Sequence, residues 1–460
     1  MKKRRLHNKN TILTPKVLCF MIFFQITISQ ISFGNDIDEM PPGVVITLNK
    51  TSRLVESNKI AEAIDVLKRF KNKQKKVDPT TAKKRGYAHY AIDFTLGNYY
   101  LMLSKPEKAL SHFLSAVSKQ KNYSDAWINL AKCYYDLEQY LSSAEAFKKG
   151  YHSQKQKNAK YLYYSAVCYT SADNFQLAEN IFRLLLKNHP KEITLEWKET
   201  FVHILRSQKK ETCALPYIEE LAEKTSGKKQ KEWREMLLYQ YMSLKMDTKA
   251  ISYARWLTKV DTIEAKWWKA LSHLYFQKDQ YKEGLVSLLV YSFINPLTPQ
   301  ELTLIADIHL MLGIPDKSVT YYEKLLKNTL DAKIIKKVVN GYIRLYDYEK
   351  ALSWLNQGLT LKVDSKMSLE LLKLKGNLLF EAEKYQKAAQ VFQKICKKEK
   401  KKGKSLLMLG YAALNSGQLD KAQKAFTKAK KYKKQYTEAQ KALRHLKITR
   451  ESMNVMPAKN

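Results

Sequence analysis

The 460-residue sequence predicts an all-α fold built from stacked helical hairpins. Three observations predict it. Gly and Pro are scarce, at 14 and 11 residues, while Lys, Leu, Ala, Tyr and Glu dominate, a composition that suits helices and argues against a β-sandwich or a glycine-turned dinucleotide fold. The chain exceeds the size at which single cores stop growing, so several domains or one elongated array are expected. Small and aromatic residues also recur together at a period of about 34 residues.

The first element is a leader. Met1 to Lys16 carries Lys2, Lys3, Arg4, Arg5, Lys9 and Lys16 and no acid. An apolar run from Val17 to Ile31 follows, ending at the small-x-small site Ser32-Phe33-Gly34. This is the layout of a secretory signal peptide over residues 1–34, with 35–43 as a short linker. The other reading is an uncleaved anchor, against which Gln25, Thr27, Ser29 and Gln30 interrupt an already short run. No later stretch is apolar for long enough to span a membrane, so an exported, soluble chain is expected.

Lys plus Arg total 81 against 44 acidic residues, a formal charge of +37. Only 12 of the 81 are Arg, fewer than a nucleic-acid reader would use, and export speaks against DNA or RNA as partner. Lys is spread over every segment, with runs at Lys71–Lys76, Lys397–Lys404 and Lys428–Lys434. Two readings stay open: a solvated surface biased towards Lys, or attraction to an anionic membrane surface, cell-wall polymer or acidic partner. The cysteines beyond the leader, Cys133, Cys168, Cys213 and Cys396, show no metal-ligand spacing. Cys133 and Cys168 hold equivalent places in successive repeats and read as buried thiols, although a disulfide between them is conceivable.

The repeat is plainest at Trp127-x2-Leu130-Ala131-x2-Tyr134, followed by Tyr140, Ala144 and Phe147. It returns at Trp268-x2-Leu271-Ser272-x2-Tyr275, and at Leu409-Gly410 with Ala422 and Phe426. Gly97 with Phe113, Ala166 with Ala178 and Phe182, and Gly376 with Ala388 and Phe392 fill the ladder. These motifs resemble the tetratricopeptide family, which implies pairs of antiparallel helices stacked as a right-handed superhelical solenoid. About eleven units are expected over 44–436, degenerate over 194–264, with an inserted basic loop at 71–84. A capping helix over 437–449 and a flexible tail over 450–460 would close the array. Small residues let helices approach, and aromatic residues fill the space between units.

No nucleotide loop, nucleophile elbow or zinc motif appears, so no catalytic residue, metal or cofactor is assigned. His309 stands where other units carry a core Tyr and reads as packed. Glu219-Glu220 reads as solvated or paired with a helix dipole. A protein or peptide partner is expected instead. By repeat register the groove formed by first helices presents Asn98, Asp125, Ile128, Asn129, Lys132, Tyr135, Asp136, Lys160 and Tyr163. Family members that grip a C-terminal carboxylate use Lys and Asn in successive repeats; Asn98, Asn129 and Lys160 match part of that clamp, while Phe94 and Tyr164 stand where Lys and Arg are required.

A narrower resemblance covers residues 190–330. Leu195-Glu196-Trp197, Trp267-Trp268, Leu297-Thr298, Glu301 and Ile314-Pro315 are similar to exported tetratricopeptide proteins that accompany ExbB–ExbD–TonB systems. That resemblance implies a scaffold in the periplasm of a Gram-negative bacterium, docking a TonB-like protein or another envelope component. The alternative is a general scaffold for an envelope secretion or polysaccharide-export assembly. Oligomeric state is left open.

Overall fold

One left-handed residue punctuates each hairpin. Eleven such residues, from Asn58 and Ser104 through Glu383 and Gly417, have φ between 54° and 77° in the three-residue turns that join first to second helices. In each turn the following amide reaches back to a carbonyl five residues earlier, as from Gln139 to Tyr134 and from Lys384 to Leu379, which satisfies orphan carbonyls of the first helix. Nine of the eleven are not glycine, so hydrogen bonding and packing hold backbone that L-residues otherwise avoid.

The computed structural model describes residues 40–327 and 329–455, with side chains to residue 451. The expected signal segment 1–34 lies outside the described residues, as does 456–460. All elements among the described residues are helical. Two compact units divide between Met246 and Asp247. The N-terminal unit contains α1 (Pro42–Glu56), α2 (Ile60–Asn72), the short α3 (Pro79–Lys84), α4 (Tyr90–Met102), α5 (Pro106–Lys119), α6 (Ser124–Asp136), α7 (Tyr140–Ser153), α8 (Ala159–Ser171), α9 (Phe175–Asn188), α10 (Leu195–Ser207), α11 (Glu211–Lys224) and α12 (Gly227–Ser243). The C-terminal unit contains α13 (Asp247–Val260), α14 (Ala265–Gln277), α15 (Tyr281–Ile294), α16 (Pro299–Met311), α17 (Pro315–Leu326), α18 (Ala332–Arg344), α19 (Tyr348–Thr360), α20 (Ser365–Glu381), α21 (Tyr385–Lys398), α22 (Gly403–Asn415), α23 (Leu419–Ala429) and α24 (Tyr436–Val455).

Several boundaries differ from expectation. The 71–84 stretch is not a loop: α2 continues to Asn72, a 3-10 turn spans Lys73–Lys76, and Asp78 caps α3 by accepting from the Thr81 amide. The first helix starts at Pro42, inside the expected linker, and α24 continues to Val455, inside the expected tail. The degenerate 194–264 region forms regular helices, because the turn at Lys209 and the buried Ala214 and Ala250 keep the repeat geometry where the sequence motif fades.

The core follows one rule. Five residues after each left-handed residue stands Ala, Ser or Gly, as at Ala109, Ala178, Ala388 and Ala422, all fully buried. Where Ser takes that place its hydroxyl finds a carbonyl: Ser143 donates to Ala131 at 2.8 Å and Ser318 to Ala306 at 2.7 Å. The second-helix aromatic lies against the small residue of the first helix. A Cβ on Gly97 would meet the Phe113 ring at 2.6 Å, and one on Gly410 would meet Phe426 at 2.3 Å; Gly376 and Phe392 repeat the contact at 2.9 Å. Ala131, Phe147 and Phe182 are likewise fully buried. Trp127 and Trp268 are half-buried, and each closes its preceding loop by donating an indole N–H, to the Lys121 carbonyl at 2.7 Å and the Thr262 carbonyl at 2.8 Å. Tyr275 is buried and accepts from Arg255, while Tyr134 is half-buried.

Candidate functional site

The expected binding face is carried by α4, α6 and α8 of the N-terminal unit. Their register places side chains 13, 10, 9 and 6 residues before the turn residue on one side, and Asn98, Asn129 and Lys132 lie there half-buried. Asn129 donates to Asn98 at 2.8 Å, so neighbouring first helices touch across this face. Phe94 is buried and sits edge-on to Tyr123 at 4.8 Å, an apolar role that leaves the carboxylate clamp without its first cation.

Lys132 lies in the middle of the expected face. Burial pushes its ammonium below the ordinary lysine value, opposed chiefly by Asp136 and then by Cys133 and Asp125. Asp125 and Asp136 are exposed, yet the packing around them raises both carboxyls, opposed at Asp125 by a 3.4 Å hydrogen bond from Ser124 and then by Lys132, and at Asp136 by Lys132. None of the three completes an ion pair within 4.0 Å among the described residues. Charges without an ion-pair partner gain from any ligand group that brings an opposite charge or a matching hydrogen bond to them. Tyr135 stands beside them, half-buried and edge-on to Tyr140 at 5.4 Å, and Lys160 is exposed on the next first helix.

Two expected groove residues are not on the surface. Tyr163 is 1% exposed: its ring stacks on Trp197 at 4.7 Å and its hydroxyl shares a 3.0 Å hydrogen bond with Thr200, so it belongs to the seam between α8 and α10. Ile128 is buried under Gly150. A shallow depression at the α8–α10 seam is lined by Lys160, Tyr163, Tyr164, Glu196 and Trp197. Glu196 occupies in α10 the register of Lys160 in α8, which is the signal that identifies it from sequence.

Other chemically suggestive groups are structurally engaged. His309 is buried, with Nδ1 2.8 Å from the Ile305 carbonyl and its ring stacked on Tyr321. Glu219 and Glu220 are not merely solvated: Glu219 accepts from the Tyr241 hydroxyl at 2.7 Å, and Glu220 from Lys198 at 2.6 Å and Lys224 at 2.9 Å. Cys133 and Cys168 are buried and form no disulfide, and burial, with Asp136 adding, pushes the Cys133 thiol up to about 12. Among the described residues no group of three or more His, Cys, Asp or Glu is placed to hold a metal, and no helix is long and apolar enough to cross a membrane.

One cluster escaped the sequence reading. Asp93 on α4 has a fully buried side chain that accepts from Lys71 of α2, from Lys119 at 2.5 Å and Ser115 at 3.0 Å, with His112 at 3.4 Å. Burial alone would raise this carboxyl, but hydrogen bonds from His112, Lys119 and Lys71 outweigh it and hold the group well below the usual carboxylate range. An ionised carboxylate on α4 saturated by donors from α2 and α5 is a clasp between hairpins.

Residues 94–156, 160–192 and 379–446 match family models described as tetratricopeptide repeat. No curated protein sequence matches the chain. Among solved structures it is similar to the tetratricopeptide domain of P58(IPK), at 14% identity and TM-score 0.24 over 80% of this chain and 99% of that one. It is also similar to a tetratricopeptide repeat protein from Parabacteroides merdae, at 14% identity and TM-score 0.30 over 65% and 99%. Yeast Tom70 gives 13% identity and TM-score 0.30 over 89% and 96%. Tetratricopeptide repeats are thus matched in both units, and the chain as a whole is an all-α array of helix–turn–helix repeats sharing one turn and packing geometry.

Proposed function

We propose that this chain is a protein-binding scaffold whose ligand face lies on α4, α6 and α8, and that it serves outside the cytoplasm beside a TonB-type energy-transduction system. The observation that carries the binding face is Lys132, desolvated between Asp125 and Asp136 with Tyr135 alongside. A peptide bringing a carboxylate to Lys132 and donors to the two aspartates would complete all three. The leader-like residues 1–34 support export, and the motifs within 190–330 support the TonB-type setting.

Two experiments test this. Tyr135→Ala with Lys132→Glu is expected to weaken capture of the envelope partner at least about tenfold, the scale of losing one buried charged hydrogen bond, with helicity unchanged. Unaltered capture removes the face from consideration. Cross-linking in the bacterial envelope followed by mass spectrometry is expected to recover a TonB-system component. Recovery of secretion or polysaccharide-export machinery instead would replace the TonB setting while leaving the binding face intact.

A further inference from the structure

In the C-terminal unit the second helices α13, α15, α17, α19, α21 and α23 all end at one edge, where loops lead to the next first helix. Apolar side chains come first along that edge. Phe293 and Ile294, ending α15, are 88% and 37% exposed; Val260 and Ile263, at and just beyond the end of α13, are 51% and 79% exposed. Phe293 stands 14 residues after the left-handed Asp279, and at that register every other hairpin carries a polar residue, five of them Lys: Lys187, Lys259, Lys327, Lys397 and Lys431. An exposed phenylalanine alone in that row is not a packing requirement of the repeat.

Lysines follow. The runs Lys397–Lys404 and Lys428–Lys434 cover the ends of α21 and α23 and the loops after them. Lys397, Lys400, Lys401, Lys431, Lys433 and Lys434 are exposed, and their side chains make no ion pair among the described residues. The opposite edge is different. Its turns 278–280, 312–314, 345–347, 382–384 and 416–418 hold only Lys278 and Lys384, against Asp279, Asp347 and Glu383. Positive charge in this unit is therefore gathered at the last two loops of this edge, further along the array than Phe293 and Ile263, the loop of the latter holding Asp261 and Glu264.

The combination selects the occupant. A soluble polyanion would satisfy the lysines and leave Phe293 and Ile263 in water. A second copy could cover the apolar residues but would press like-charged loops together, each chain carrying +37 overall. An anionic lipid surface satisfies both, with headgroups for the lysines and the acyl boundary for the apolar side chains. We propose that this loop edge docks peripherally on an anionic bilayer, Phe293, Ile294, Val260 and Ile263 entering the interface while the two lysine-rich loops rest on the headgroups. The proposal stands independently of the protein-binding face.

Co-sedimentation of the full chain with vesicles tests it. Binding is expected to mixed phosphatidylglycerol–phosphatidylcholine vesicles and not to phosphatidylcholine alone, and to weaken as salt rises. Phe293→Ser with Ile263→Ser, and separately Lys400→Glu with Lys401→Glu and Lys433→Glu, should each cost at least about tenfold in partitioning with circular dichroism unchanged. Residues 1–34 are identical in all three proteins, so any lipid affinity of theirs cancels from the comparison. Equal binding to phosphatidylcholine, or variants that sediment like the parent, overturns the proposal. Loss with the lysine variant alone would assign the edge to a soluble polyanion, and a dimer that Phe293→Ser dissociates, seen by light scattering, would assign it to a second copy; either result also overturns it.

Discussion

The two units tie their hairpins together with charges placed at different depths. In the N-terminal unit Asp93 is fully buried beneath donors from α2 and α5, and Glu179, 3% exposed, accepts from Arg183 at 2.8 Å, Gln208 at 2.8 Å and Lys210 at 2.5 Å. In the C-terminal unit the ties form a partly exposed ladder over first helices: Lys269 to Glu301 at 2.8 Å, Lys337 to Asp307 at 2.6 Å and Lys336 to Glu370 at 2.7 Å. A buried carboxylate must have every donor in place, so it fixes one register; an exposed pair tolerates slippage and contributes little. The ladder engages first-helix lysines of the C-terminal unit with acids, whereas Lys132 of the N-terminal unit lacks a close ion-pair partner.

Asp93→Asn should give the largest stability effect, a loss of about 3 kcal/mol, because Lys71 and Lys119 would face a neutral group. Urea unfolding measures the loss, and hydrogen exchange should place it in α2, α4 and α5. The same clasp sets an acid limb. Because the folded Asp93 carboxyl sits below its ordinary value of 3.8, its contribution is fully present above that value and fades as pH falls through the range beneath it. Exchange in these helices should accelerate there in the parent and change less in Asp93→Asn; identical acid profiles would break the contrast between units. Next in size is a gain: Tyr346, left-handed at φ 59° and 80% exposed, should stabilise the C-terminal unit by about 0.5–1 kcal/mol when changed to Gly, read as a raised urea midpoint. Smallest is Lys337→Met, which removes one rung and should cost about 0.5 kcal/mol. A loss matching that of Asp93→Asn would mean the ladder is as decisive as the clasp.

The hairpins were legible because their determinants are local. Ala131 and Phe147, or Gly410 and Phe426, sit within one turn-linked pair, so spacing alone places them. What failed to show in the sequence depends on neighbours a full repeat away. Tyr163 has the register of a groove residue, and only Trp197 and Thr200 of α10 draw it inside. Asp93 looks like an isolated acid until Lys71, His112 and Lys119 arrive from helices on either side. Lysine appears spread along the chain because loop edge and turn edge alternate within every repeat; the hairpin topology is what separates them. The 71–84 stretch misled through its charge, since exposed lysines are compatible with short helices once Asp78 caps one.

The left-handed turn residues carry a consequence for how the molecule acquires its shape. Each closes its hairpin through main-chain bonds within six residues, so the entropy of bringing two helices together is small and is met before any distant contact forms. Each turn favours its own hairpin locally, and stacking on the neighbouring hairpin then stabilises it. An emerging polypeptide can therefore set its hairpins one after another in the order of synthesis, each new hairpin offering the last one a surface.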